Sequence, residues 1–286
     1  MSQDSFEAAR PRIRGLAYRM LGTLADADDV AQDTWLRWQA AGGAHITNAE
    51  AWLVTTATRL CLDRLRSPAR TREIYPGPWL PEPIVTDPGP ESAAELSDSL
   101  TLAFMVLLDQ LAPVERAVFV LAHVFDVPYA DIAATVGRSQ AACRQIASRA
   151  RRKLQPDKQP DYTAADRELV NDLLRALASG DVNELVSRLA PQVVCITDGG
   201  PGRRAARRPI VGSASVGRLL VALARRYRHL ATRPAIVGGC AGAILSAGDT
   251  TEQLMAVTSK DGVITALYFI GNPAKHTSVG HPVIIE

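Results

Sequence analysis

The sequence is poor in the features that mark secreted, membrane-spanning and metal-binding proteins. Its four cysteines, Cys61, Cys143, Cys195 and Cys240, are scattered and form no CxxC pair, which argues against zinc binding by cysteines and against a disulfide framework. No apolar run approaches the roughly 18 residues of a membrane span. The first seven residues are polar and acidic, unlike a secretory signal. We therefore expect a cytoplasmic chain without a metal, a cofactor or a membrane partner.

An excess of charge of one sign is also missing. The chain carries 32 basic and 30 acidic residues, for a formal net charge of +2. Any nucleic-acid binding must therefore depend on local basic patches, because there is no global positive field. The length of 286 residues and the 47% hydrophobic content suggest two or three domains with apolar cores.

The first part of the chain has a helical pattern that a proline-rich segment interrupts. Residues 6–68 are predicted to be helical, with Thr23 beginning a second helix and Asn48 capping a third that runs to Arg66. Six prolines lie between residues 76 and 90, and residues 73–115 contain no Lys, Arg or His. This composition predicts an extended, acidic linker. A mere spacer has no use for a tryptophan, so we expect Trp79 to dock on a neighbouring domain.

From about residue 163 the pattern changes from all-α to mixed α and β. Helices are predicted at residues 163–179, 182–190 and 213–228, and strands at residues 191–197, 233–238, 241–247, 251–259 and 263–271. Gly238-Gly239 and Asp261-Gly262 lie between strand-like runs and predict hairpin turns.

A helix-turn-helix is predicted at residues 129–153. Gly137 suits a left-handed turn position, and Ser139 can cap the second helix. Six cations and no acid occur from Arg138 to Lys153. Arginine can bind guanine edges or phosphates and glutamine can read adenine, and the sequence does not separate the two roles. A solvated basic face on an ordinary helix is the plain alternative, but the turn glycine, the cap and the partner helix favour DNA binding.

The second predicted helix begins with a cluster of acids. The helix dipole accounts for Asp26 and Asp28 near the first turn. It does not account for Asp33, which lies one turn beyond Asp29 on the same face, or for Trp35 beside them. An acidic and aromatic face of this kind suits a basic protein partner.

These segments resemble extracytoplasmic-function (ECF) sigma factors. The stretch from Phe6 to Arg66 is similar to their sigma-2 domain, and residues 96–155 are similar to their sigma-4 domain. The motifs that support the resemblance are Ala17-Tyr18-Arg19-Met20, Asp26 to Trp38, Asn48 to Leu53, Asp63 to Arg66, and Leu111 to Arg116 leading into the helix-turn-helix.

The resemblance implies a role for each surface. The face formed by Asp29, Gln32, Asp33 and Trp35 would bind the β′ clamp of RNA polymerase. The face formed by Thr55, Thr58, Arg59 and Arg66 would meet the promoter −10 element, although simple solvation explains Arg59 and Arg66 equally well. The −35 element would be read by Arg138, Ser139, Gln140, Arg144, Gln145, Ser148, Arg149, Arg151 and Arg152.

The remaining sequence resembles the SigJ-like subgroup, which carries a C-terminal SnoaL-like domain of the NTF2-like superfamily. Its linker signature is matched by Trp79, Leu80, Pro81, Glu82 and Pro83. Asp198-Gly199-Gly200-Pro201 stands where a DGGG-like motif is usual, and Asn272-Pro273-Ala274-Lys275-His276 where an NPDKL-like motif is usual. The resemblance implies that this domain regulates the sigma domains in cis.

The expected protein is therefore multidomain. All-α sigma-2 (1–70) and sigma-4 (96–156) domains, joined by an acidic linker (71–95), precede an α+β SnoaL/NTF2-like cone domain (162–286). Its partners would be core polymerase, through the β′ clamp and the β flap, and promoter DNA, with a small ligand of the C-terminal pocket left open. The arginines from Arg203 to Arg208 would meet the acidic linker or DNA, or form a solvated loop.

Two alternatives remain. One is a ligand-responsive helix-turn-helix regulator that binds DNA without polymerase. The other is a SnoaL-like enzyme, for which Asp198, Asp249, His229 and His276 are the candidate acid–base groups. No two of these four form a recognisable pair in the sequence, and we expect no catalytic activity.

Overall fold

Three helices, α1 (Ser2–Leu21), α2 (Leu24–Ala40) and α3 (Ala49–Arg66), form the N-terminal part of the chain in a computed structural model. The structure describes residues 2–42, 46–67, 77–86, 100–154, 164–179, 182–281 and 283. Thr23 Oγ1 accepts a hydrogen bond from the Asp26 amide at 3.2 Å, and Asn48 Oδ1 accepts one from the Ala51 amide at 3.0 Å. Both predicted N-caps are therefore confirmed, because each side chain satisfies an amide that the helix leaves without a partner.

Four helices follow the linker: α4 (Leu102–Leu108), α5 (Pro113–His123), α6 (Tyr129–Val136) and α7 (Gln140–Leu154). Gly137 ends α6 with φ 68°, and Ser139 Oγ accepts a hydrogen bond from the Ala142 amide at 3.2 Å. The predicted helix-turn-helix is confirmed in its turn and in its cap. The small residues Cys143, Ala147 and Ala150 are buried, which lets α7 pack closely on α5 and α6.

The chain divides into two compact units. Of the described residues, one unit comprises 2–42, 46–67 and 104–154, and the other comprises 77–86, 100–103, 164–179, 182–281 and 283. The described part of the predicted linker, residues 77–86, therefore belongs to the same unit as the C-terminal residues. In the first unit the buried side chain of Arg116 on α5 donates to the Met20 carbonyl at the end of α1, at 2.8 Å.

The second unit contains the helices α8 (Ala164–Ser179), α9 (Val182–Ser187) and α10 (Ser213–Tyr227) and a seven-stranded sheet. The strands are β1 (Val85–Thr86), β2 (Leu189–Asp198), β3 (Ile210–Val211), β4 (Ala231–Val237), β5 (Cys240–Ala247), β6 (Thr250–Lys260) and β7 (Val263–Ile270), and the order in the sheet is β1-β4-β5-β6-β7-β2-β3. Neighbouring strands are antiparallel except β2 and β7, which are parallel.

Most of the predicted elements of this unit are confirmed. Positive φ angles occur at both residues of each predicted hairpin turn, Gly238-Gly239 and Asp261-Gly262, as two-residue turns of type I′ require. The helix predicted at 182–190 is wrong at its end, because α9 stops at Ser187 and Leu189 begins β2. β1 and β3, each of two residues, were not predicted: β1 lies in a proline-rich segment, and β3 is too short to show a strand pattern.

The parallel pairing of β2 with β7 determines where the second unit can carry a site. Both strands end at the same edge of the sheet, where Asp198 pairs in register with Ile270. The Asp198 carbonyl accepts a hydrogen bond from the Gly271 amide at 2.7 Å. The chain segments that follow Asp198 and Ile270 therefore begin side by side. They contain the two altered motifs, Asp198–Pro201 and Asn272–His276.

Candidate nucleic-acid interface and linker-binding site

The solvent-facing side of α7 is basic. Arg144, Gln145, Ser148, Arg149 and Arg152 line an open groove of about 440 Å³. All the α7 side chains that we predicted to read the −35 element are exposed, as are Arg138 and Ser139 before them. The Arg144 guanidinium lies 5.5 Å from the centre of the Tyr129 ring, so a cation–π contact orients it. This face offers charged donors in a pattern that suits phosphates and base edges.

The acidic face of α2 has a partner that the sequence did not predict. Arg64 of α3 contacts Asp33 at 2.9 Å, Asp29 at 3.4 Å and Asp26 at 3.6 Å. Burial by itself would lower the pKa of Arg64, but the hydrogen bond to Asp33 and the three carboxylate charges raise it on balance. The guanidinium holds these carboxylates in one orientation without covering them.

The rest of the α2 face is available to a protein partner. Gln32 and Asp29 are exposed, and Leu36 beside them is 53% exposed. Trp35 is half-buried, because its ring lies against Phe6 with the ring centres 4.8 Å apart. An exposed leucine next to fixed carboxylates is more typical of an interface than of a purely solvated helix.

The predicted −10 face of α3 needs a correction. Thr58 is fully buried, and its hydroxyl donates to the Val54 carbonyl at 2.7 Å, so it does not belong to an exposed surface. Thr55 is half-buried and shares a hydrogen bond with Thr135 of α6 at 3.1 Å. Arg59 donates to the Ala134 carbonyl at 3.0 Å and to the Thr135 carbonyl at 3.3 Å. Arg66 is exposed.

A buried ion pair holds the linker backbone in the second unit. Asp198 Oδ2 accepts a hydrogen bond from the Leu80 amide at 2.9 Å and forms a salt bridge with Lys275 Nζ at 2.7 Å. Lys275 also donates to the Leu80 carbonyl, and its ammonium lies 4.1 Å from the centre of the Trp79 ring. Asp198 and Lys275 are 1% and 3% exposed. Both backbone groups of Leu80 are thus satisfied by one charged pair.

The linker residues after Leu80 add further contacts. Glu82 is buried and accepts a hydrogen bond from Thr277, while Ser278 Oγ donates to the Pro83 carbonyl at 2.8 Å and accepts from the Val85 amide at 3.2 Å. The Ile84 carbonyl then accepts from the Gly238 amide at 2.7 Å, where β1 joins the sheet beside β4. Leu80, Ile84 and Val85 are buried, and each such burial is worth roughly 1.5–3 kcal/mol as an upper estimate.

The two altered motifs shape this site from the other side. Gly200 has φ 62°, and a Cβ there would lie 2.5 Å from Asn272 Cγ, so only glycine fits. Asn272 caps the turn Pro273–Lys275 by accepting a hydrogen bond from the Ala274 amide at 3.1 Å. Pro201 and Ala274, two of the three residues that depart from the usual motifs, are exposed, and the third, His276, is half-buried. Both exposed substitutions therefore leave the buried contacts to the linker intact.

Comparison with known proteins identifies the family. The chain matches the family models of Sigma-70 region 2 at residues 6–71 and Sigma-70 region 4 at residues 101–154. It is 39% identical to the ECF RNA polymerase sigma factor SigJ of Mycobacterium tuberculosis, over 97% of this chain and 94% of that protein.

The chain belongs to the ECF sigma factors. It is also 30% identical to the probable sigma factor SigI of M. tuberculosis, over 94% of this chain and 93% of that protein. The crystal structure of M. tuberculosis SigJ matches 96% of this chain and 98% of that one, with a TM-score of 0.77 and 36% identity. The predicted fold class and the predicted sigma factor function are confirmed: this sigma factor binds core RNA polymerase and promoter DNA. Control in cis by the C-terminal domain stays a prediction.

The sigma factor's C-terminal unit does not assemble the four candidate acid–base groups into a catalytic pair. Asp198 is engaged with Lys275, and both ring nitrogens of His276 face backbone carbonyls, those of Thr251 and Ile270. Asp249 and His229 are exposed. The helix-covered face of the sheet is filled by apolar side chains, including Leu173, Val216, Leu220, Val193, Met255 and Leu267.

Three buried ionisable side chains of the sheet, those of Cys195, Cys240 and Tyr268, are neutral. Burial raises the pKa of the Cys195 thiol to about 12 and that of Cys240 to about 11, and burial also raises the pKa of Tyr268. All three are protonated at neutral pH. Among the described residues, no helix is long and apolar enough to cross a membrane, and no three His, Cys, Asp or Glu side chains form a group that could hold a metal ion.

The roles of four residues in these sites were not predicted from the sequence. They are Lys275, Thr277 and Ser278, which bind the linker, and Arg64, which pairs with the acids of α2. Lys275 belongs to the Asn272–His276 motif that was identified in the sequence. A lysine among turn residues, next to a short apolar run, was the signal that could have indicated its role. Thr277 and Ser278 carry no such signal, because their partners in the linker are 195 residues away in the sequence.

Proposed function

We propose that the C-terminal domain controls this sigma factor in cis by holding the linker between its two sigma domains. The observation that carries the proposal is the buried Asp198–Lys275 pair, which binds both backbone groups of Leu80. A charged pair of this kind is stabilising only where additional hydrogen bonds satisfy it, and here the linker supplies them. The linker therefore has a specific bound state.

The bound state limits how far the sigma domains can separate. A free linker of about 35 residues between Ser67 and Leu102 could span roughly 120 Å, whereas about ten residues from Ser67 to Gly77 reach only some 35 Å. The linker is held again at its far end, where the Leu102 amide donates to the Gly238 carbonyl at 2.7 Å. The −10 and −35 elements of a promoter are separated, so the two sigma domains must move apart to bind both. Release of the linker therefore favours the state that can bind the promoter.

The sigma domains act through the surfaces described above. The α2 face with Asp29, Gln32, Asp33 and Trp35 binds the β′ clamp, and the basic face of α7 reads the −35 element. The exposed end of α3, with Arg66 and with Arg59 once it leaves α6, meets the −10 element. The polymerase and its DNA place this activity in the cytoplasm. The C-terminal domain acts by binding and not by catalysis, which the apolar lining of its sheet supports.

Replacing Trp79 by alanine tests the control by the linker. The substitution removes the ring over Lys275 but leaves the ion pair with Asp198 in place, so the domain keeps its fold while linker binding weakens by about 1–2 kcal/mol. We expect promoter-directed transcription in vitro to rise several-fold at limiting core polymerase. Trp79→Phe is the matched control, because it retains an aromatic ring over the ammonium. Unchanged transcription in Trp79→Ala would refute control through this contact.

Replacing two acids of α2 tests the polymerase-binding face. Asp29→Asn with Asp33→Asn removes two carboxylates and should weaken binding to core polymerase by on the order of tenfold or more, since charge pairs at an interface are individually worth over 1 kcal/mol. Asp28→Asn is the control, because Asp28 is an exposed acid of the same helix that pairs with Arg14 instead. Equal core binding by the double variant and by Asp28→Asn would show that the partner surface lies elsewhere.

A further inference from the structure

A cavity of about 340 Å³ in the second unit has a positively charged lining. It lies between the start of the described linker, Gly77 and Pro78, and the loop that follows β2. The loop contributes Gly199, Gly200, Arg203, Arg204, Ala205 and Arg207. Among the described residues no Asp or Glu lines the cavity, and its volume falls in the range of small-molecule sites.

Two of the three arginines have charges that are not compensated by the described residues. Arg203 is engaged, because it pairs with the Glu252 carboxylate at 2.9 Å and donates to the Glu252 carbonyl at 2.7 Å. Arg204 and Arg207 are exposed, and within the described ranges neither has an acidic partner. Two unpaired guanidinium groups that face one concave space make a strong site for an anion, because each can bind phosphate oxygens in a bidentate manner.

The loop that presents these arginines is held in shape. The Ala206 amide donates to Thr197 Oγ1 at 2.8 Å, and Arg203 fastens the loop to β6 through Glu252. A Cβ on Gly199 would lie 2.9 Å from the Arg203 carbonyl oxygen, so the loop closes tightly on itself. A site whose backbone is already ordered binds its ligand with a smaller loss of entropy.

We propose that this cavity binds a small anionic ligand with phosphate groups, of about the size of a diphosphate or a mononucleotide. The concave shape between the loop and the start of the linker favours a small molecule over the backbone of duplex DNA, which needs a longer open groove. The linker forms one wall, since a Cβ on Gly77 would lie 3.2 Å from the Ala206 carbonyl oxygen. A bound anion therefore stabilises the linker-bound state, and this regulatory consequence rests on the proposed function.

Calorimetric titration of the full-length protein with inorganic pyrophosphate and with ADP tests the proposal. We expect saturable binding, weakened at least tenfold, or about 1.4 kcal/mol, by Arg204→Ala with Arg207→Ala. Arg225→Ala with Arg228→Ala is the control, since it removes the same charge from exposed positions of α10 and the residue after it. Equal binding by the two double variants, or no saturation by either probe below roughly 10 mM, overturns the proposal.

Two further arms separate the possible outcomes. Duplex promoter DNA should not displace pyrophosphate. If DNA displaces pyrophosphate, and if the Arg204→Ala, Arg207→Ala variant loses DNA binding as well as pyrophosphate binding, the loop is a DNA contact and the small-ligand proposal is wrong. Trp79→Ala should weaken pyrophosphate binding without abolishing it, because an anion that stabilises the linker-bound state binds less tightly when that state is itself weakened. If pyrophosphate binds but Trp79→Ala leaves transcription unchanged, control through the linker is refuted and the anion site is supported. If Trp79→Ala raises transcription but pyrophosphate does not bind, the anion site alone is refuted.

Discussion

Lys275 joins three groups that are far apart in the sequence: the carboxylate of Asp198, the carbonyl of Leu80 and the ring of Trp79. Its ammonium has three donors and is almost fully buried. The cost of removing this charge from water is offset only because the carboxylate and the linker backbone surround it. One lysine thus makes the fold of the C-terminal domain and the binding of the linker depend on each other.

Lys275→Met should destabilise the second unit by about 3–5 kcal/mol, because it leaves the Asp198 carboxylate buried without its cation. Urea unfolding followed by circular dichroism measures the change, with Lys260→Met, an exposed lysine at the end of β6, as the control. Adding Asp198→Asn to Lys275→Met should recover a large part of the loss, because no charge then remains buried. A loss under 1 kcal/mol in the single variant would contradict the structural role of the pair.

At the scale of elements, packing determines which faces are available. α3 carries Thr55 and Arg59 on the side that contacts the last carbonyls of α6. The free carbonyls at a helix C-terminus carry a partial negative charge, so they attract a guanidinium. The surface of α3 that resembles a −10 reader therefore contacts the helix-turn-helix in this structure. Under the proposed function it would exchange those carbonyls for DNA.

Two glycines with positive φ, Gly137 at the end of α6 and Gly200 in the loop after β2, should differ in their cost of substitution. Gly137 ends α6 with φ 68° and a Cβ there would meet no atom within 4 Å, whereas Gly200 has φ 62° and a Cβ there would collide with Asn272. Gly137→Ala should therefore cost only the backbone strain, about 1–2 kcal/mol, and Gly200→Ala clearly more. Thermal unfolding of both variants measures the order, and a smaller loss in Gly200→Ala would show that Asn272 can move away.

At the scale of the whole molecule, the chain does not fold as a simple succession of domains. The described residues 77–86 and 100–103 precede α5 to α7 in the sequence but belong to the unit formed by the C-terminal residues. Each unit has its own buried core, for example Leu16, Leu53 and Leu121 in the first and Leu173, Val216 and Leu267 in the second. Separate cores of this kind favour two unfolding transitions over a single two-state transition.

Calorimetry of the full chain should resolve two unfolding transitions. Lys275→Met should lower the midpoint of one, and Arg116→Met, which removes the donor to the Met20 carbonyl and to Asp109, should lower the midpoint of the other. The reason is that each variant disrupts contacts within a single unit. A single transition that both variants shift equally would mean that the two units unfold cooperatively.

The sequence by itself determined the local features of this protein. The caps at Thr23, Asn48 and Ser139, the turn at Gly137 and the two hairpin turns could be predicted, because each depends on the conformational preference of one or two residues. The basic face of α7 followed from helical periodicity. The family resemblance supplied the sigma factor function, and the comparisons confirmed it.

The tertiary structure decided which of these residues are exposed and which distant residues meet. Thr58 lies in a pattern that resembles a DNA-binding face, but its burial depends on how α3 packs, which periodicity alone does not give. Asp198 and Lys275 meet because β2 and β7 are parallel neighbours and end at the same edge. Strand order and register arise from the whole core, so the site that binds Trp79 and Leu80 could be expected from the sequence but not located in it.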